Sequence, residues 1–172
     1  MSAPGSPRSA EPFPVDGSIL RVRRIVAVDA SPEATFAEVE RIGGSNGWPY
    51  AQPLWRIRGW IDRMAGGVGM RGRPSSDGLH EGAILDFWRV EVLQWPAALR
   101  LRAEMRLPGR AWLEFEVQPA GSGSRLVQTA TFHPTGLAGR AYWYGLYPIH
   151  ALVFRGMARR LADRAGARSA SA

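Results

Sequence analysis

Between Ile84 and His133 apolar and polar residues alternate at period two through four successive segments, and the chain then closes on one long helical segment. Ile84, Asp86, Trp88, Val90 and Val92 alternate with Leu85, Phe87, Arg89, Glu91 and Leu93. Leu99, Leu101, Ala103 and Met105 alternate with Arg100, Arg102, Glu104 and Arg106; Ala111, Leu113, Phe115 and Val117 oppose Trp112, Glu114 and Glu116. A last strand runs from Arg125 to His133. This period marks strands that bury one face and wet the other. Pro108-Gly109 and Gly121-Ser122-Gly123-Ser124 supply turns between them. Residues 136–165 read as a helix with a break or kink at Pro148, because proline lacks the N–H and clashes one turn back. It is the only element large enough to cover the buried face of such a sheet.

The first third adds a strand and two helices. Leu20, Val22, Val26 and Val28 share one side of a strand at 18–29, and Arg24 shares that side. Ser31-Pro32-Glu33 supplies an N-cap, an N1 proline and a first-turn acid; Phe36, Val39 and Ile42 follow at helical spacing until Gly43-Gly44. Pro53 opens a second helix, in which Leu54, Ile57, Ile61 and Met64 form an apolar stripe and Gly59 costs about 1 kcal/mol relative to Ala. Residues 66–82 are rich in Gly, Arg and Ser, with at most one short strand near Val68–Arg71. The order predicts an α+β helix-grip fold, an antiparallel sheet wrapped around a long C-terminal helix. Residues 18–165 form the single domain, 1–17 a disordered leader and 166–172 a disordered tail. Arg159, Arg160, Arg164 and Arg168 are expected on a wet face or a frayed end.

Composition removes several classes of chemistry. The chain has no Cys, so disulfides, thiolate nucleophiles and Cys-type zinc sites are out. All 22 basic residues are Arg, which removes Lys Schiff bases and Lys general bases. The net charge is +7, but the arginines alternate with Glu and Asp along the strands instead of gathering beside exposed aromatics, so nucleic acid is not an expected partner. The longest apolar stretch, Ala141 to Phe154, falls short of the ~20 residues of a membrane span, and no transmembrane segment is expected. Without an N-terminal apolar h-region the chain reads as cytoplasmic. Three scattered His give no metal spacing.

Aromatic and arginine clusters imply a pocket. Gly47-Trp48-Pro49-Tyr50, Leu54-Trp55-Arg56-Ile57-Arg58-Gly59-Trp60, Leu85-Asp86-Phe87-Trp88-Arg89-Val90-Glu91 and Tyr142-Trp143-Tyr144 carry most of them. The ligand-binding candidates are Arg24, Trp48, Tyr50, Trp60, Trp88, Trp112, Trp143, Tyr147 and Phe154, although more than half of such aromatics belong to ordinary core. His150 falls on the stripe with Phe154, Met157 and Leu161, as a core histidine bonded to the sheet or as a pocket acid or base. Asp86, in phase with Trp88 and Val90, needs a partner if buried, and Arg24 is one candidate. Asp86, His150 and Tyr144 are the catalytic candidates: either of the first two moves a proton, and Tyr144 or an Arg holds an oxyanion. Gly67-Val68-Gly69-Met70-Arg71-Gly72 matches GxGxxG, yet no apolar strand precedes it and Arg73-Pro74-Ser75-Ser76 cannot open the helix that would hold a pyrophosphate. No cofactor is expected.

Taken together, Gly43-Gly44, Leu54-Trp55-Arg56-Ile57-Arg58-Gly59, Gly66-Gly67-Val68-Gly69, the Leu85 to Glu91 run, Leu107-Pro108-Gly109-Arg110-Ala111-Trp112-Leu113 and Tyr142-Trp143-Tyr144 through His150 to Met157 resemble a bacterial domain family of unknown function in the START-like, or SRPBCC, superfamily. Ala83 and Thr135 stand where that family usually carries Asp and Arg. The resemblance implies the helix-grip fold and a cavity for a hydrophobic small molecule between sheet and last helix. It also implies frequent fusion behind an NAD(P)-binding, epimerase- or reductase-like domain. The function expected on this basis is binding of a hydrophobic or aromatic metabolite, with cofactor-free cyclase, dehydratase or isomerase chemistry open to it. The alternatives are a non-catalytic carrier or sensor and an accessory domain to a separate NAD(P)-dependent reductase. A homodimer is left open.

Overall fold

Six strands pair in the order β1-β6-β5-β4-β3-β2, every pair antiparallel. The strands are β1 (Leu20–Val28), β2 (Ile84–Leu85), β3 (Trp88–Gln94), β4 (Ala98–Ala103), β5 (Gly109–Ala120) and β6 (Gly123–Pro134). The helices are α1 (Pro32–Glu40), α2 (Gln52–Met64) and α3 (Gly136–Ser169). The computed structural model describes residues 19–73 and 78–171, so the expected leader at 1–17 lies outside the described residues.

Register aligns the apolar positions into rows. Val22 faces Ala130, which faces Leu113, which faces Leu101, which faces Val90. Because Cβ atoms alternate, one row of this kind places every side chain on the same face. The second half of α3 covers that face with Val153, Phe154, Met157 and Leu161, all buried. α1 joins the same core through Phe36 and Val39, and Ser31 caps it by accepting from the Ala34 N–H at 3.2 Å.

Four features depart from the sequence expectation. The strand expected at 84–93 is broken at Asp86-Phe87 into a tight hairpin, with Leu85 paired to Trp88 and Asp86 in the left-handed region at φ 54°. No strand forms at 68–71; that loop is tied to α2 instead, since the buried Asp62 carboxylate accepts from the N–H groups of Gly69 at 2.9 Å and Arg106 at 2.6 Å. α3 continues through Pro148. The proline removes the bond to the carbonyl of Tyr144, where the helix is exposed and water can accept that role. α3 also runs to Ser169, so 166–169 are helix and not tail. Arg168 reaches the buried Glu38 of α1 at 2.7 Å, which anchors the last turn.

The orientation of α2 is the most consequential difference. Trp55, Gly59 and Asp62 are its buried residues. At about 100° per residue these three share one side, and the apolar arc of Leu54, Ile57, Trp60, Ile61 and Met64 points away from it. All five are exposed, Met64 to 71%. The stripe therefore does not enter the core.

Tyr50 docks the preceding loop on α3. Its ring lies over Gly156, where an added Cβ would meet ring atoms at 2.4 Å. Gly156→Ala should therefore destabilise the protein by about 1–3 kcal/mol, despite a helix-propensity gain of about 1 kcal/mol. Urea melts check this; a more stable variant would show that Tyr50 moves aside freely.

Candidate functional site

Two apolar clusters pack on the covered face of the sheet. The larger includes Trp55, Trp88, Ala130, Val153 and Phe154; the smaller is Val22, Phe132 and Trp143, with Leu107, Ala111 and Tyr142 against it. Between them lies a cavity of about 240 Å³, lined by members of both clusters and by α2 residues Leu54, Ile57, Arg58 and Ile61. The outward stripe of α2 thus forms the rim of this cavity, with Ile149 of α3 beside it.

Trp55 and Trp88 line the back wall, and Trp48 and Phe87 pack behind them in a run of ring contacts. Trp48 stacks on Trp55 at 4.4 Å, Trp55 on Phe87 at 6.0 Å, and Phe87 meets Trp88 at 5.8 Å. Asp86 holds this wall from behind. It is 1% exposed, and Oδ2 accepts from the Trp48 indole N–H at 2.9 Å and from the Gly44 N–H at 3.0 Å. Such charge-assisted bonds satisfy a carboxylate that would be costly to bury unpaired. On the opposite wall Trp143 stacks on Phe132 at 5.6 Å, and the His150 ring lies between Trp143 and Phe154 at 6.0 and 5.6 Å.

Among the described residues, three buried polar atoms on residues that line this cavity carry no hydrogen bond: Nε1 of Trp88, Nδ1 of His150 and Oγ1 of Thr131, the last on the other face of the sheet by alternation. Burial, and secondarily the Arg58 guanidinium, holds His150 below the ordinary imidazole range. The ring is therefore neutral at pH 7 and can accept a proton. Arg58, at the rim, donates to the carbonyl of Arg106 at 3.1 Å.

The predicted residues divide accordingly. Trp88, Trp112, Trp143, His150 and Phe154 border the cavity. By alternation the Trp112 side chain lies on the other face of the sheet from Ala111 and Leu113, and its indole donates to Glu91 at 3.1 Å. Asp86 and Trp48 support the wall without lining it. The expected Asp86–Arg24 pair does not form, because β1 and β2 are opposite edges of the sheet. Tyr144, 65% exposed, and Tyr147 and Trp60, also exposed, lie off the cavity lining; Tyr50 and Arg24 border other clefts. Glu104 bridges Arg71 and Arg89. Burial pushes its carboxyl up, but the hydrogen bonds from Arg89 and Arg71 outweigh this and hold it below the usual range. Sequence reasoning missed Arg58, Phe132 and Tyr142; the α2 stripe was the available signal for the rim, and only its direction was unreadable.

Residues 16–157 match the family described as Protein of unknown function (DUF2867). No protein with a curated description matches the sequence. Among solved structures, StfQ, the di-domain ARO/CYC from the steffimycin biosynthetic pathway, superposes with a TM-score of 0.52 at 11% identity, over 88% of this chain and 52% of that one. This chain therefore spans about half the length of that di-domain protein. A protein from Rhodobacter sphaeroides gives a TM-score of 0.52 at 16% identity, over 87% and 93% of the two chains. Truncated norcoclaurine synthase from Thalictrum flavum gives 0.50 at 10% identity, over 84% and 91%. At such identities the likeness establishes the fold, and it is the expected helix-grip. Among the described residues no helix is long and apolar enough to cross a membrane.

Proposed function

We propose that this chain, which belongs to the DUF2867 family of proteins of unknown function, binds a small aromatic metabolite in the cavity between α3 and the sheet, and that His150 exchanges a proton with it. One observation carries this reading: on the covered face the apolar wall holds an indole N–H, of Trp88, and a neutral imidazole nitrogen, of His150, that are both buried and unbonded. Buried polar atoms are normally paired. A ligand with a flat apolar body and an oxygen would stack on the rings and accept from Trp88, while a proton near His150 could pass to the imidazole. Ligand cavities usually span about 300–1,000 Å³, so about 240 Å³ favours one or two fused rings over a larger polycycle. The fold shared with an ARO/CYC protein and a norcoclaurine synthase supports the same class of ligand.

A non-catalytic carrier is the second reading. It is favoured by the positions of Asp86 and Tyr144, neither of which lines the cavity beside His150. In either case the partner is an apolar small molecule.

Mono- and bicyclic phenols and aryl ketones should quench the tryptophan emission and raise the melting temperature. Trp88→Phe should weaken the best ligand by about tenfold, the loss of one buried hydrogen bond. A panel that changes neither observable would remove the proposal. Native mass spectrometry of protein from its own host would identify the ligand directly.

A pH dependence follows from His150. Its folded pKa is depressed, so between that value and the unfolded one the unfolded chain holds more protons and stability rises with pH. The contribution is complete above the unfolded imidazole range and is lost on acidification through the folded pKa. The melting temperature should therefore fall from about pH 7.5 to about pH 5, by less in His150→Gln than in the parent. Equal falls in both would show that His150 is not desolvated.

A further inference from the structure

Outside the cavity, one row beneath α3 carries polar side chains with nothing bonded to their buried atoms. Arg24 on β1 pairs in register with Gln128 on β6, and both lie on the covered face in phase with Val22, Val26, Leu126 and Ala130. Gln128 is 1% exposed, and among the described residues neither its amide oxygen nor its amide nitrogen has a partner; Nε of Arg24 is likewise buried and unbonded, while its Nη1 donates to the Arg23 carbonyl at 3.2 Å. Such groups oppose folding unless something completes them.

Arg24 opens into a cleft of about 460 Å³ between β1 and α3, where successive turns of the helix contribute Arg155 and Arg159. Ile25, Val26 and Ala158 complete its lining, so among the described residues no carboxylate borders it. Among the described residues none of the three arginines is in an ion pair. Asp163 borders the neighbouring cleft that shares Arg155 and Arg159, but forms no ion pair with them. Three guanidiniums facing one space without a counter-charge repel one another, and an anion placed among them removes that repulsion.

We propose that this cleft is a second binding site, separate from the aromatic cavity, and that it takes a phosphate-type oxyanion. The two sites share no lining residue. Planar guanidiniums match tetrahedral oxyanions through paired N–H donors, which suits Arg24, Arg155 and Arg159 to this role. Gln128 lies beside Arg24 in register, behind the cleft and outside its lining. The site does not depend on what fills the aromatic cavity.

Calorimetry of the full chain with inorganic pyrophosphate, at ionic strength held constant with sodium chloride, tests the site. Saturable binding is expected, together with a higher melting temperature. Arg155→Gln/Arg159→Gln changes only exposed side chains and should lower the affinity at least tenfold, about one lost charge-assisted contact. Arg24→Met should leave the melting temperature of the free protein unchanged or raised, because its Nε is unbonded, and should lower pyrophosphate affinity by about tenfold as well. A merely structural Arg24 would do the reverse. Sedimentation with phosphatidylglycerol and with phosphatidylcholine vesicles separates the sources of the oxyanion: binding to the former alone assigns a lipid headgroup, and pyrophosphate binding without vesicle binding assigns a soluble phosphate compound. Absence of both, or equal affinity in parent and variants, overturns the proposal.

Discussion

A chain ending at Met157 is expected not to fold. The truncation removes Ala158, Leu161, Ala162 and Ala165, all buried against α1 and the sheet. Loss of Leu161 alone, at 1% exposure, costs about 2–5 kcal/mol, and total stability for a domain is about 5–15 kcal/mol. The cut also removes Arg168 from the buried Glu38, leaving only Arg41 at 3.7 Å. Arg168 is itself exposed, so this loss adds less than the lost packing does. A chain ending at Ser169 keeps every one of these contacts and should melt as the parent does. Circular dichroism and urea melts compare the three. If the Met157 variant unfolds cooperatively with stability within about 1 kcal/mol of the parent, the packing of α3 on α1 is not as described.

Asp86→Ala and His150→Gln should separate stability from function. Asp86→Ala leaves the Trp48 indole N–H and the Gly44 N–H without their acceptor and puts Ala at a left-handed φ. Each unsatisfied buried donor costs about 1–3 kcal/mol, and the backbone position adds about 1 kcal/mol, so a loss of roughly 3–7 kcal/mol is expected. Asp86→Asn keeps an acceptor oxygen and tolerates that φ, and should recover much of the loss. His150→Gln breaks no hydrogen bond of Nδ1, which has none, and should leave stability near pH 7 close to the parent's. On a substrate that exchanges a proton with this ring, turnover should fall about 10²–10⁴-fold with little change in affinity. Full turnover in folded His150→Gln would assign the cavity to carriage. An Asp86→Ala variant as stable as the parent would remove Asp86 from the support of the aromatic wall.

Asp86 also shows where period-two reading ends. In sequence it is one more alternate residue between Ile84 and Trp88, and nothing local marks it as the corner of a hairpin. The corner forms because the carboxylate is drawn to two donors on the Gly43 to Trp48 loop, some forty residues earlier in the chain. Long-range satisfaction of a buried charge overrides local alternation. The same limit applies to Tyr144, whose neighbour Trp143 faces the core while Tyr144 faces water. A helix heptad does not reveal which of two adjacent aromatics the sheet will receive.

The sequence by itself determined the strand run, the Ser31 cap, the long closing helix and hence the helix-grip fold, because those rest on local periodicity and turn chemistry that act within a few residues. It also placed His150 on the apolar side of α3 and Trp88 on the covered face of the sheet. Only the tertiary structure decided that the α2 stripe turns outward to rim a cavity, that Asp86 braces a wall instead of lining a site, and that Arg24 faces Arg155 and Arg159 across a separate cleft. Those three outcomes depend on which distant surfaces meet. Periodicity defines that a face is apolar or charged, but its partner is chosen by the packing of the whole chain.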